Sequence, residues 1–150
     1  MRFTVESNVL IYAADKTAGH RHQAALHLLA QAARADALLM LQSLVEFYHA
    51  VTRKGRVPPH EAAKVIGRWL RIFRAHPADR VALEQAISIT LRYRLQFWDA
   101  MMVSAADQAG CRFLLSEDLQ DGQTIGRVTV INPFDAANAK LVGALLPPPH

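Results

Sequence analysis

The sequence predicts an α/β protein: an α/β/α sandwich with a central, mainly parallel sheet of about five strands. Short apolar runs of strand length alternate along the chain with longer segments of helical periodicity. This alternation is typical of parallel strands joined by crossover helices that cover both faces of the sheet. The 150 residues, 51% of them apolar, are enough for one domain with its own core.

Five runs have the length and composition of buried strands. The first contains Phe3-Thr4-Val5 and is followed at once by a carboxylate, Glu6. The strands are predicted at residues 2–6, 37–41, 73–76, 112–116 and 128–131. The intervening stretch 117–126 is polar, and we expect it to be a loop.

Six segments carry apolar residues at helical spacing. The helices are predicted at residues 8–14, 20–34, 43–54, 60–73, 79–92 and 99–109. We expect Trp69 and Trp98 in the core, with the lining of a substrate groove as the alternative for Trp98. Residues 1–134 are predicted to form the domain. Residues 135–150 are predicted to form a C-terminal tail with one short helix, Ala136 to Leu146, which the prolines from Pro147 to Pro149 end.

Composition limits the cellular context. A single cysteine, Cys111, excludes an internal disulfide and fits a reducing compartment. No apolar run approaches the roughly 20 residues of a membrane helix, and the first residues do not resemble a signal peptide. We therefore expect a cytoplasmic protein. The net charge of +4 permits nucleic-acid binding without indicating it.

Four acidic residues occupy comparable positions. Glu6 ends the first strand, Glu46 lies in the first turn of the helix after the second, and Asp118 follows the fourth. Strand C-termini and the N-termini of the following helices share one edge of a parallel sheet, so these three are predicted to lie near one another. Asp99 joins them if the N-terminus of its helix packs at that edge.

Each acid also has a simpler interpretation. Ser43 and Glu46 have the spacing of a helix capping box, and Asp99 has the position of an N-cap. Asp118 lies in a polar loop where a solvated carboxylate is ordinary. Glu6 is the exception, because a carboxylate at the end of an apolar strand is costly unless it has a partner.

Carboxylates that meet at one point repel each other unless a cation neutralises them. Oxygen ligands alone favour Mg²⁺ or Mn²⁺. A site of this kind can activate water and hold a phosphodiester. Other α/β functions fit less well. The first turn lacks the glycines that a dinucleotide-binding domain requires. The aspartates that a dehalogenase-type phosphotransferase or a response-regulator receiver requires have no good candidates in this sequence.

Several short motifs occur in a fixed order. They are Phe3-Thr4-Val5-Glu6-Ser7-Asn8, Ser43-Leu44-Val45-Glu46, Trp98-Asp99-Ala100, Leu115-Ser116-Glu117-Asp118 and Asn132-Pro133-Phe134. In this order they resemble PIN-domain nucleases, and the VapC-type toxins of toxin–antitoxin pairs in particular. The resemblance covers about residues 2–134.

The resemblance implies a Mg²⁺- or Mn²⁺-dependent endoribonuclease. It also implies a homodimer that is neutralised by a small antitoxin, with contact to operator DNA only through that antitoxin. On this basis Glu6, Glu46, Asp99 and Asp118 are the catalytic and metal-binding carboxylates. The supporting polar residues are Ser7, Asn8, Ser116 and, as an outer member of the acidic set, Asp121.

Glu6 departs from the resemblance, because the family usually has aspartate there. Its extra C–C bond moves the carboxylate outward by about 1.5 Å. Three explanations stay open: an adjusted site, a weakened or non-catalytic form, and an introduced substitution. The alternative function is therefore a degenerate PIN domain that binds RNA or an antitoxin without cleaving.

Four cations are candidates for RNA binding. Arg92 and Arg94 are the nearest in sequence before Asp99. Arg53 and Lys54 form a second basic cluster, although at a helix end they also complement the helix dipole.

Overall fold

A computed structural model describes residues 1–147. The strands are β1 (Phe3–Val5), β2 (Leu39–Met40), β3 (Ala75–His76), β4 (Phe113–Leu115), β5 (Thr124–Ile125) and β6 (Val128–Ile131). The main sheet has the strand order β1-β4-β6-β5, in which β1, β4 and β6 are parallel and β5 is antiparallel to β6.

Strands β2 and β3 form a separate parallel pair that continues the main sheet beyond β1. A single parallel bridge joins Phe3 to Ala37, and the Leu38 amide donates to the Phe3 carbonyl at 3.2 Å. The predicted central parallel sheet is confirmed.

Helices cover both faces of the sheet. They are α1 (Ser7–Ala14), α2 (His20–Ala32), α3 (Leu41–Arg53), α4 (Pro59–Ile72), α5 (Arg80–Tyr93), α6 (Phe97–Gln108) and α7 (Ala139–Leu145). Successive side chains of β1 and β4 point to opposite faces of the sheet, and this divides the core into two parts. Phe3, Val5 and Leu115 pack with α1 to α4 on one face, whereas Leu114 packs with Met102 of α6 on the other.

Three sequence predictions are wrong in detail. The polar stretch after β4 contains β5, because Gly126 adopts a positive φ of 61° and turns the chain into a short hairpin with β6. Helices α3 and α6 each begin two residues before their predicted starts. Trp98 is 66% exposed, so it is not a core residue, whereas Trp69 is buried.

The C-terminal segment is a 3₁₀ turn, Ala136–Asn138, followed by α7, rather than one continuous helix. Its Val142 is buried against the core that β1 and α1 share. The predicted helix end at Pro148 and Pro149 lies outside the described residues. Within residues 1–147, no helix is long and apolar enough to cross a membrane.

Candidate active site

The register of the parallel strands brings three chain segments to one edge. Val5 pairs with Leu115, and Leu115 pairs with Ile131. The next residue of β1, Glu6, donates its amide to the Leu115 carbonyl at 3.0 Å. Ser116 makes the equivalent bond to the Ile131 carbonyl, also at 3.0 Å. Glu6 and Ser116 are therefore neighbours across the C-terminal edge.

The Glu6 side chain is 6% exposed and is held by two polar neighbours. The Ser116 hydroxyl donates to its Oε2, and the Asn8 amide donates to the same oxygen at 3.3 Å. Ser116 Oγ also accepts the backbone amides of Asp118, at 3.2 Å, and Leu119, at 3.3 Å. Ser116 thus connects the Glu6 carboxyl to the loop that carries Asp118.

Glu46 lies in the second turn of α3 and reaches toward α1. Ser7 Oγ donates to its Oε2 at 3.0 Å, and Gln42 Nε2 donates to its Oε1 at 2.7 Å. The capping-box interpretation is wrong, because α3 begins at Leu41 and its N-cap, Met40, makes no side-chain bond. Glu46 is therefore free of a capping role.

Asp99 is the third residue of α6, whose N-cap is Gln96, so the N-cap interpretation of Asp99 is also wrong. Its side chain lies in the first turn, where the helix dipole favours a negative charge. Partial burial, with smaller contributions from the charges of Glu46 and Asp118, raises the pKa of Asp99 above its usual range.

The four acids form one electrostatically coupled group. Burial raises the pKa of Glu6 to about 7, and the Ser116 hydrogen bond partly opposes this rise. The charges of Asp99, Asp118 and Glu46 also raise the pKa of Glu6, and the value of about 7 includes their smaller contributions. The structure therefore brings together the four acids that the sequence singled out, including Asp99.

The remaining predicted site residues occupy different surroundings. Asp121 has partners outside the group of four acids: its Oδ1 accepts the Asn132 amide at 2.8 Å, and both oxygens accept Asn138 Nδ2 at 3.0 Å. These bonds lower the pKa of Asp121 and fix the turn after β6. The assignment of Asp121 to the acidic set stays a prediction.

The candidate cations differ in their distance from the acids. Arg94 ends α5 and lines a cleft of about 580 Å³ together with Asp99 and Asp118. Arg92 lies two residues earlier, with its guanidinium carbon 5.4 Å from the centroid of the Tyr93 ring. Arg53 and Lys54 lie about two turns beyond Glu46, at the other end of α3.

Sequence reasoning missed a cluster beside the acids. Tyr12 Oη donates to Glu117 Oε1 at 2.6 Å, and Arg21 forms an ion pair with Glu117 Oε2 at 2.7 Å. The Arg21 guanidinium also lies over the ring of Phe134. Glu117 thereby ties the end of β4 to α1 and α2. The position of Glu117 beside Asp118 could have indicated a role near the acids, but its partners Tyr12 and Arg21 are distant from it in sequence.

The residues fit a hard divalent cation in their chemistry. Four carboxylates supply oxygen ligands, and Asn8 Oδ1 is a buried acceptor that finds no donor among residues 1–147. Within those residues, however, no three His, Cys, Asp or Glu side chains are already arranged as a metal site. Because Ser116 and Asn8 hold the Glu6 carboxyl, side-chain rotation has to accompany ion binding.

The raised pKa of Glu6 makes the stability of the metal-free protein depend on pH. The folded pKa of about 7 exceeds the ordinary value of 4.5, so the folded state binds this proton more tightly than the unfolded state. The contribution of Glu6 to stability is therefore fully present below about pH 4.5 and is lost as pH rises through about 7. We expect Glu6→Gln, measured in chelator, to gain about 2 to 3 kcal/mol over the wild type between pH 5 and pH 8.

The measurement is urea unfolding at several pH values. Glu61→Gln, on the exposed face of α4, is the matched control and should follow the wild-type profile. Parallel profiles for Glu6→Gln and the wild type would show that Glu6 is ionised in the fold at no cost.

Several solved structures with a similar fold are toxins or toxin–antitoxin complexes. VapC20 of Mycobacterium tuberculosis, a sarcin-ricin loop cleaving toxin, is 17% identical, with a TM-score of 0.64 over 77% of this chain and 91% of its own. A Klebsiella pneumoniae toxin–antitoxin complex is 17% identical, with a TM-score of 0.65 over 88% and 98%. VapBC2 of Rickettsia felis, bound to a promoter DNA fragment, is 12% identical, with a TM-score of 0.65 over 87% and 97%.

At these identities the structural likeness establishes the fold alone. Curated protein sequences give no match. The family model of the PIN domain does match, over residues 3–120, which include all four acids of the coupled group. This chain belongs to the PIN domain family.

Proposed function

We propose that this chain is a metal-dependent endoribonuclease that cleaves RNA phosphodiester bonds and acts as the toxin of a toxin–antitoxin pair. The observation that carries the proposal is the coupled group of Glu6, Glu46, Asp99 and Asp118 at the C-terminal edge of the sheet. Membership of the PIN domain family supports it.

Mg²⁺ or Mn²⁺ is the proposed cofactor, with the four carboxylates as its ligands. When bound, such an ion supplies a water molecule of lowered pKa and offsets the charge of the phosphate. The protein side chains set the geometry. Ser7 and Gln42 orient Glu46, while Ser116 and Asn8 orient Glu6. The proposed role of these side chains is to hold the two carboxylates in position.

The RNA backbone is proposed to enter along the cleft between α5 and the β4 loop, the Arg94 cleft. Arg94 is its one cation among the described residues, and its other polar walls include Gln96, Gln120 and Gln123. A guanidinium beside two carboxylates can hold a phosphate that those carboxylates would otherwise repel. Arg92, Arg53 and Lys54 stay predicted contacts of lower priority.

A small antitoxin is the proposed protein partner. The Klebsiella pneumoniae relative was solved as a toxin–antitoxin complex, and the Rickettsia felis relative was solved on a fragment of promoter DNA. By analogy, this chain contacts DNA only through its antitoxin. The cytoplasmic location of the pair stays a prediction.

One observation favours the second candidate, a PIN domain that binds RNA or an antitoxin without cleaving. The Glu6 carboxyl is bonded to Ser116 and Asn8, and no three acids are already arranged around an ion within residues 1–147. A site that fails to rearrange would bind substrate and leave it intact.

RNA cleavage tests the proposal directly. We expect the protein to cut RNA with Mn²⁺ or Mg²⁺ and to lose this activity in chelator. Asp99→Asn should slow cleavage by at least about 100-fold, because it removes a charge at the proposed ion. Gel analysis of a labelled RNA gives the rates.

Glu61→Gln serves here as the matched carboxylate control and should cleave at the wild-type rate. Cleavage that survives both chelator and Asp99→Asn would overturn the proposal. RNA binding with no cleavage under either metal would favour the second candidate.

Glu6→Asp tests the cost of the longer side chain. A misplacement near 1 Å can cost on the order of 100-fold in rate, and Mg²⁺ tolerates distortion poorly. We therefore expect Glu6→Asp to cleave about 10-fold faster than the wild type and to need less Mg²⁺. Titration of the cleavage rate against Mg²⁺ measures both effects, and an unchanged or lower rate would contradict this account of Glu6.

The proposed homodimer has a candidate surface on α5. Leu83, Ile87 and Leu91 follow one another at four-residue spacing, and all three are exposed, Leu91 at 82%. An apolar stripe of this size on a helix is typical of a protein contact. We expect the wild type to sediment at twice its chain mass of 16.6 kDa and Leu91→Arg to sediment as a monomer.

Arg80→Leu, which removes an exposed ion pair at the start of the same helix, is the control and should stay dimeric. A wild-type protein that is monomeric at high concentration would remove the homodimer from the proposal.

A further inference from the structure

A second groove lies on the other side of Asp99 from the Arg94 cleft. This groove, the Trp98 groove, has a volume of about 660 Å³ and runs between the start of α3, the residues after β3 and the start of α6. Trp98, Leu41, Val45 and Met101 give it apolar walls. Glu46 and Asp99, two of the four acids, also line it, so the groove opens directly onto the candidate active site.

Trp98 stands out among the apolar residues of this region. Trp98 is 66% exposed although it occupies the second position of α6, directly before Asp99. Phe97 packs against it edge to face, with ring centroids 5.3 Å apart. Gln42 Nε2 donates to the Trp98 carbonyl at 2.9 Å and to Glu46 at 2.7 Å, so one amide fixes Trp98 relative to an acid of the site.

The charges of the two grooves differ. Among the described residues, no Lys or Arg lines the Trp98 groove, whereas Arg94 lines the opposite cleft. Apolar side chains and two carboxylates form most of the lining, with Gln42 and His49 beside them, so within residues 1–147 the Trp98 groove offers no Lys or Arg partner to a backbone phosphate. A nucleobase is neutral and presents a flat π-face, and an exposed indole beside apolar walls is suited to stack on it.

We infer that the Trp98 groove binds an unpaired nucleobase next to the scissile phosphate, stacked on the Trp98 indole. The inference rests on the proposed RNA cleavage and identifies Trp98 as the residue that holds a base beside the scissile phosphate. Bases inside a duplex are paired and stacked, so they do not reach the groove without unpairing. Trp98 is thereby a specificity-determining residue for the proposed reaction.

Binding of an uncut probe tests the inference apart from catalysis. The probe is an eight-nucleotide single-stranded RNA, titrated in chelator and followed by the quenching of tryptophan emission and by anisotropy of an end label. Loss of one stacking contact weakens binding roughly 5- to 100-fold. We therefore expect Trp98→Leu to raise the Kd about 10-fold and to abolish most of the quenching, while Trp98→Tyr, which keeps a ring, stays within about 3-fold.

Two controls separate stacking from other effects. Tyr48→Leu removes an exposed aromatic of α3 that does not line the groove, and it should bind the probe as the wild type does. Eight further probes each carry one abasic nucleotide at a different position. The wild type should bind one or two of these probes less tightly than the unmodified probe. The same abasic probes should lose nothing further against Trp98→Leu.

The outcomes distinguish this inference from the proposed function. Wild-type cleavage with unchanged binding by Trp98→Leu would overturn the inference alone. Probe binding that depends on Trp98, without cleavage under any metal, would uphold the inference and overturn the nuclease. A Trp98→Leu protein that changes its oligomeric state and binds the probe normally would overturn the inference, because it would assign the groove to a contact between copies of the chain.

Discussion

The arrangement of the site depends on one electrostatic constraint: four carboxylates lie together at the edge of a sheet, and burial raises the pKa of two of them, Glu6 and Asp99. Glu6 is the most buried of them, and its raised pKa records that cost. Ser116 and Asn8 offset part of it by hydrogen bonds to one carboxyl oxygen. The cluster persists because the parallel register of β1 and β4 fixes Glu6 beside Ser116, whatever the charge state of the acids.

The same constraint relates the site to its two grooves. Asp99 lines both of them, with a guanidinium on one side and an exposed indole on the other. A strand of RNA has a charged face and an aromatic face, and the two grooves offer one partner to each. Gln42 couples the indole side to Glu46, and Ser116 couples Glu6 to the Asp118 loop. The proposed placement of RNA is therefore related to the acids through two separate sets of hydrogen bonds, one at Glu46 and one at Glu6.

The sequence was sufficient for the fold class and for singling out four acids that interact electrostatically in the structure. Both follow from local patterns, namely strand runs that end in polar residues and helices that begin beside them. The hairpin strand β5 was missed because it consists of only two residues stabilised by a long-range pairing with β6. The capping interpretations of Glu46 and Asp99 failed because α3 and α6 each begin two residues early, which moves both acids inside their helices.

The contacts and exposure of individual side chains could not be predicted from the sequence. Trp98 is a large apolar residue of the kind that usually lies in a core, yet it is 66% exposed in the structure. The ion pair of Glu117 with Arg21 spans 96 positions, and no local pattern predicts such a pair. The orientation of Glu6 toward Ser116 also depends on the sheet register, which the sequence determines only through the assembled fold.

The central claim is that the four acids form a single site for one kind of hard cation. Calorimetric titration of the protein with Mn²⁺ tests it most directly, with Glu46→Gln and Asp99→Asn beside the wild type. The account predicts saturable binding by the wild type, weakened by either substitution and unaffected by Glu61→Gln. Binding of equal strength in all four proteins, or no saturable binding in the wild type, would contradict it.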